Sequence, residues 1–244
     1  MKRLLVVGGA NGLGLAIATE MAQMPECEKV YIVDKAQVAC EYMHEKFDCF
    51  QFDLTNEDYS IFDKFKDIDS LMITAGFGKL ALFKDVPESY ITSSFIVNSV
   101  APIRVIHHFM DKLQHEKDFF CGIMVSIAGF MSSPFFAVYG ATKAALKIFI
   151  ESVNVELEKN GSTNRIMNVS AGSFKGSSFN GGPTDLVQLS SVAKVIIANL
   201  YSKNDLLIFQ YDEIFKKVLE RYRSDFREEG RHSYDYKVNS RRVK

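Results

Sequence analysis

With 244 residues, 47% of them hydrophobic and 24% charged, the chain is long and apolar enough to bury a core without disulfides or a structural metal, so disordered, collagenous and mini-protein readings are excluded. A net charge of −1 gives no support to electrostatic capture of nucleic acid, and no run approaches the roughly 18 uninterrupted apolar residues of a membrane span. The apolar run after Met1, Lys2 and Arg3 breaks at Gly8, too early for a signal peptide, and Cys27, Cys40, Cys49 and Cys121 form no C-x-x-C pair; they read as reduced thiols of a cytoplasmic protein.

In chain order, short apolar runs alternate with longer stretches of helical spacing, the pattern of stacked βαβ units and a parallel sheet. Residues 4–7 read as the first strand, and residues 12–24 then carry Leu13, Ala16, Ile17 and Met21 on one helical face before Pro25 stops it. Residues 29–33, 49–52 and 70–74 read as the second to fourth strands, with an amphipathic stretch over 59–65 between the last two. One long helix is expected from about 87 to 114, with Pro102 marking a kink or a join. Residues 122–126 follow as the fifth strand, 137–159 as a helix ended by Asn160 and Gly161, and 165–170 as the sixth strand. Beyond a Gly/Ser-rich loop over 171–183 come a helix at 185–200, a last strand at 206–209 and a helix over about 212–227. No repeat or composition break marks a second domain, so residues 1–244 read as one unit.

Gly8, Gly9, Ala10, Asn11, Gly12, Leu13 and Gly14 lie where the first strand hands over to the first helix. Glycines there allow a tight turn and let backbone N–H groups and the positive helix end approach a pyrophosphate. Asp34 ends the second strand 20 residues beyond Gly14, where a carboxylate can accept from the hydroxyls of an adenosine ribose and would repel a 2′-phosphate. NAD(H) is therefore favoured, with NADP(H) as the alternative that Lys35 would help by offsetting charge.

Tyr139 and Lys143 stand four residues apart at the start of a helix and share a face. An ammonium near a phenol favours the phenolate, so the pair predicts a tyrosine able to exchange a proton near neutral pH. Ser126 ends the fifth strand thirteen residues upstream.

With these residues the chain resembles the short-chain dehydrogenase/reductase family in its compact single-domain form, over residues 3 to about 209. The stretch from Val7 to Gly14 is similar to that family's T-G-x-x-x-G-x-G loop, with Val7 in place of Thr. Asp53 with Leu54 resembles the acid that touches adenine, Thr74-Ala75-Gly76 the N-A-G segment, and Asn98, Ser126, Tyr139 and Lys143 the Asn-Ser-Tyr-Lys tetrad. The resemblance implies an α/β, doubly wound Rossmann-like fold with a mostly parallel sheet of about seven strands and helices on both faces. It implies an NAD(P)-dependent oxidoreductase interconverting an alcohol and a carbonyl of a small-molecule substrate. Tyr139 would be the general acid/base, Ser126 would steady the reacting oxygen, Lys143 would bind the nicotinamide ribose and lower the Tyr139 pKa, and Asn98 would hold a relay water. Gly8, Asn11, Gly12, Leu13, Gly14, Asp34, Asp53, Leu54, Ala75, Gly76, Gly172 and Ser177 join Tyr139 and Lys143 as the implied cofactor contacts. A catalytically silent NAD(P)(H)-binding regulator, or an epimerase or dehydratase on the same fold, is the alternative reading.

Some positions depart from the pattern. Thr74 replaces the Asn of N-A-G and is expected to weaken the tie between the central strands; Ala171-Gly172 stands for Pro-Gly; and Gly176 takes the place of a carboxamide-binding Thr, with Ser177 or Ser178 as substitutes. Phe77, Phe83, Phe130, Met131, Phe135, Phe136, Phe174 and Phe179 fall near the carboxyl ends of strands, where open α/β sheets bind ligands, and are candidates for an apolar substrate pocket or for packing. His107, His108, Asp111 and His115 are read as a solvated or interface helix, with no metal site. By resemblance that helix and the one carrying Tyr139 pair two copies, giving a homodimer or homotetramer. From Arg221 onward eight Lys/Arg face four Asp/Glu, a local +4 that leaves −5 for the rest. This basic extension, 221–244, reads as a solvated terminus, against roles in engaging a phosphorylated or nucleotide-linked substrate or a partner subunit; Tyr211, Tyr222, Tyr234 and Tyr236 point to part of it packing.

Overall fold

The structure, a computed structural model, describes residues 1–172, 176, 177, 179, 182–240 and 243. Seven strands among these form one parallel sheet in the order β3-β2-β1-β4-β5-β6-β7. They are β1 (Arg3–Val7), β2 (Lys29–Asp34), β3 (Phe47–Gln51), β4 (Ser70–Ile73), β5 (Phe120–Met124), β6 (Arg165–Ser170) and β7 (Leu206–Ile208). The order reverses between β1 and β4, so the carboxyl ends of these two strands open a crevice at the centre of the sheet.

Alternation along the strands divides the core in two. Leu4, Val6, Val30, Ile32 and Met72 pack on one face beneath α1 (Gly12–Ala22) and α6 (Leu186–Tyr201). Leu5, Val7, Val33, Leu71 and Ile73 point the other way, with Val105 and Ile106 of α3 (Ala101–His108) and Leu146 and Ile150 of α5 (Ala137–Lys159). Each such side chain is fully buried, a contribution of about 1.5–3 kcal/mol apiece before entropy is charged.

The long helix expected over 87–114 is divided. It begins as α2 (Glu88–Phe95), widens into a π-turn at Ile96–Val100, continues as α3 and, after Phe109, ends as α4 (Met110–Gln114). Pro102 has no N–H to give to the helical ladder, and the wider turn directly before it accommodates that loss. The stretch at 59–65 forms a 3₁₀ helix, Ser60–Lys64, too short to develop an amphipathic face. Of the histidines in this region, His108 lies 3.5 Å from Asp63 and against the Phe109 ring, and the His115 ring accepts from the Lys117 N–H.

Through residue 240 the carboxyl-terminal segment is largely helical and docks on the body of the protein. A π-turn at Tyr211–Phe215 leads into α7 (Lys216–Ser224), and Asp225 then accepts from the N–H groups of Arg227 and Glu228 to start α8 (Phe226–Asn239). Asp225 with Glu228 three residues on is the N-cap pattern that ends one helix and begins another, where a single helix over 212–227 was expected. Among the described residues no helix is long and apolar enough to cross a membrane.

Candidate active site

The crevice at the β1/β4 reversal opens into a cavity of about 1100 Å³. Gly8, Asn11, Gly12, Leu13, Gly14, Asp34, Asp53, Leu54, Ala75, Gly76, Ser126, Tyr139, Lys143, Gly172 and Ser177 all line it. Asn98 does not; it stands behind the wall, fully buried. Ser178 and Phe174 lie outside the described residues. Of the candidate aromatic set, Phe77, Met131, Phe136 and Phe179 line the cavity, whereas Phe83 is exposed, Phe130 lies under the Lys147 ammonium and Phe135 lies against Tyr234.

The glycine loop is shaped for a closely approaching ligand. Gly8 has φ +91°, and a Cβ on it would come within 2.4 Å of the Ala75 nitrogen; one on Gly14 would meet the Gly8 carbonyl at 2.2 Å. Only glycine keeps the loop low enough to leave the space above it open. The Gly12 N–H, at the start of α1, donates to the Thr184 hydroxyl at 2.8 Å, so the positive helix end faces the cavity with a polar partner supplied from across it. The residues present therefore fit a dinucleotide. Thr74, expected to loosen the central strands, ties them instead: its hydroxyl donates to the Gly8 carbonyl at 2.8 Å and its N–H to the Val7 carbonyl at 2.8 Å.

At the end of β2 the Asp34 carboxylate accepts from Ala10 N–H and Ala36 N–H, both at 2.9 Å, which fixes it at the rim of the crevice. Lys35, the cation expected to offset it, pairs with Asp53 at 2.8 Å. That ammonium, with the Thr55 N–H and hydroxyl, holds the Asp53 carboxyl down at about 2.

Ser126 and Tyr139 meet because α5 packs directly on the turn that follows β5. A Cβ at Gly129 would lie 2.7 Å from the Lys143 carbonyl carbon, so only glycine permits the approach. Ser126 lies near enough to Tyr139 to favour its phenolate, while its oxygen accepts from the Ala128 N–H at 3.1 Å and its hydroxyl points to the Ala171 carbonyl at 3.5 Å. Burial outweighs the Ser126 contact and pushes the Tyr139 phenol up to about 12. The same burial pushes the Lys143 ammonium down to about 7. Its Nζ donates to the Met124 carbonyl at 2.8 Å and lies 5.8 Å from the centre of the Tyr139 ring. The protein groups by themselves therefore do not lower the tyrosine: the half-neutral lysine is a weak electrostatic partner, and desolvation wins over charge.

Asn98 sits in the π-turn, which directs its amide toward the end of β4. It accepts from the Phe77 N–H at 2.9 Å and donates to the Phe77 carbonyl at 2.8 Å. Its Oδ1 and the Lys143 Nζ both flank Gly76. Thr142, unforeseen in the sequence, links the set by donating to the Tyr139 carbonyl at 2.7 Å while its hydroxyl accepts from Asn98 at 3.3 Å. Position gave a signal, since Thr142 precedes Lys143 by one residue, but only packing shows which way its hydroxyl turns. Tyr139 is further boxed by Phe136 and Phe179, with ring centres 5.2 and 5.3 Å away.

Against known proteins, a family model described as short chain dehydrogenase matches residues 2–182. The short-chain dehydrogenase srdE of Neurospora crassa is 30% identical over 176 residues, 64% of this chain and 56% of that protein. The chain spans between 56% and 59% of the length of the curated relatives it matches. A short chain dehydrogenase/reductase from Burkholderia phymatum in complex with NAD superposes with a TM-score of 0.79 at 15% identity, covering 92% of this chain and 93% of that one. An alcohol dehydrogenase from Thermococcus sibiricus complexed with 5-hydroxy-NADP gives 0.71 at 17% identity, covering 86% and 96%. At such identities these two likenesses speak for the fold.

Proposed function

Because the chain belongs to the short-chain dehydrogenase family, we propose that it is a nicotinamide-dependent oxidoreductase interconverting an alcohol and a carbonyl, with Tyr139 as the general acid/base. The observation that carries this reading is the meeting of Ser126, Tyr139 and Lys143 in one cavity with the glycine loop. A nicotinamide held by the glycine loop and Lys143 would supply or accept the hydride, and the protein handles position and proton.

In the reductive direction the Tyr139 hydroxyl donates to the substrate carbonyl oxygen and delivers its proton as that oxygen gains charge. Ser126 holds the same oxygen and steadies the developing charge. Lys143, buried and poised at about 7, exchanges a proton near neutrality and restores the tyrosine. Asn98 positions the segment at Gly76 and Phe77, beside which the replacement proton reaches Lys143 from solvent. Aromatic walls from Phe136 and Phe179 exclude water from the reacting oxygen.

NAD(H) is the proposed cofactor over NADP(H). Two carboxylates, Asp34 and Asp53, stand at the adenosine end, and Lys35 is spent on Asp53, so a 2′-phosphate would meet uncompensated negative charge. A homodimer or homotetramer is the proposed assembly, supported by the exposed Ile148 and Val155 of α5 and the exposed Phe95 and Val100 on the adjoining helical segment. Cytoplasmic residence is proposed from four free cysteines.

The test is Tyr139→Phe, assayed by NADH consumption with a panel of carbonyl compounds and by NADH fluorescence titration. Turnover is expected to vanish with NADH affinity nearly unchanged. Undiminished turnover in the variant overturns the mechanism.

A further inference from the structure

The two carboxyl-terminal helices lie beyond residue 182, where the family match ends. They nevertheless close one side of the cavity that holds Tyr139, and they do so with an unusual face. Glu229, His232, Ser233 and Lys237 recur at helical spacing along α8 and all line the cavity. Glu229 and Lys237 are only 4% and 7% exposed, while Phe226 and Val238 of the same helix are 50% and 43% exposed. A helix docked for stability alone turns its apolar residues inward, and a buried ion pair is weak support for stability. Here the inward face is polar.

The helix is also firmly held. The Lys237 Nζ donates to the Ser133 hydroxyl at 2.8 Å, the Pro134 carbonyl at 2.7 Å and the Ser233 hydroxyl at 3.1 Å. The Tyr234 ring lies against that of Phe135, tilted by 32° with centres 4.7 Å apart, and the Ser132 hydroxyl donates to the Phe226 carbonyl at 3.2 Å. These contacts fix the polar face to the 132–136 loop, three residues ahead of Tyr139.

Ile214 of the π-turn and Val218 and Arg221 of α7 continue a stripe into the same cavity. Arg221 gives its Nε to the buried Glu229 carboxylate at 2.7 Å. A planar guanidinium anchored through Nε by a fixed carboxylate is oriented, and its terminal nitrogens remain in the forked arrangement that matches a second carboxylate.

We propose that Arg221, held by Glu229, recognises a carboxylate at the end of the substrate remote from the reacting carbonyl or alcohol, with an apolar chain between them. This deepens the oxidoreductase reading and rests on it for the reacting end. Met131, Phe136, Phe179 and Val218 line the same cavity and are the apolar groups available to the chain between the two polar ends. The substrate class is thus an oxo- or hydroxy-carboxylate with an apolar chain between its two polar ends, and Arg221 is a specificity-determining residue.

Binding of straight-chain carboxylates from hexanoate to dodecanoate, and of the matching primary alcohols, is measured by calorimetry on the NADH-loaded full chain. The wild type is expected to bind at least one carboxylate about tenfold tighter than its alcohol. Arg221→Met and the double variant Arg221→Met/Glu229→Met are expected to lose that preference; the double variant avoids leaving Glu229 buried without its partner, and its melting temperature reports folding. Equal binding of acid and alcohol by the wild type, no carboxylate binding across the series, or a preference kept by the folded double variant overturns the proposal. A protein that binds the carboxylate but reduces no carbonyl would sink the reaction and leave this site standing.

Discussion

Replacing Lys143 by methionine separates what the active site needs from what the fold prefers. Lys143 is 2% exposed, and burial lowers its pKa from 10.5 to about 7. Between those values the unfolded chain binds a proton that the native protein does not, so wild-type stability rises with pH across the window. Below pH 7 both states are protonated and the full cost of the buried ammonium is felt. At 1.36 kcal/mol per decade, that cost is about 4 kcal/mol at pH 7 and falls by about 1.4 kcal/mol for each pH unit above it. Methionine has similar length and no charge, but it gives up the bond to the Met124 carbonyl, a loss of about 1–2 kcal/mol. The variant is therefore expected to be inactive yet more stable at pH 7 by about 2–3 kcal/mol, with the advantage gone near pH 9. Urea denaturation of both proteins from pH 7 to pH 9 measures the difference, in which the titrations of Cys121 and the other shared groups cancel. A difference that stays flat over this range would refute the burial argument, whatever its sign.

Other outcomes follow from the same geometry. In thermal-shift titration NADH is expected to stabilise the protein more than NADPH, and Asp34→Ala to narrow the gap, because it removes one of the two carboxylates at the adenosine end. A larger shift with NADPH in the wild type would reverse the cofactor assignment. Gly129→Ala would place a methyl 2.7 Å from the Lys143 backbone and push α5 off the turn after β5. A loss of about 1–3 kcal/mol on denaturation is expected, with a fall in kcat larger than any change in NADH affinity. Unchanged stability would show that the turn yields without cost.

The sequence by itself determined the seven strands and their order along the chain. The central strands β1 and β4 are short apolar runs buried on both faces, and the glycines, Ser126, Tyr139 and Lys143 sit at junctions that local spacing locates: Gly8 to Gly14 after β1, Ser126 after β5, Tyr139 and Lys143 at the head of α5. Local signals carry this much because strand, turn and helix start are decided by neighbours within a few residues. The tertiary structure alone decided the electrostatics. A lysine beside a tyrosine reads as an ammonium that lowers the phenol, yet burial, which depends on everything packed around the pair, moves both groups the other way. It also decided the carboxyl terminus. Eight cations in a short basic stretch read as solvated, but where Lys237 goes depends on the oxygens of Ser133 and Pro134 more than 100 residues earlier, and no local pattern encodes that meeting.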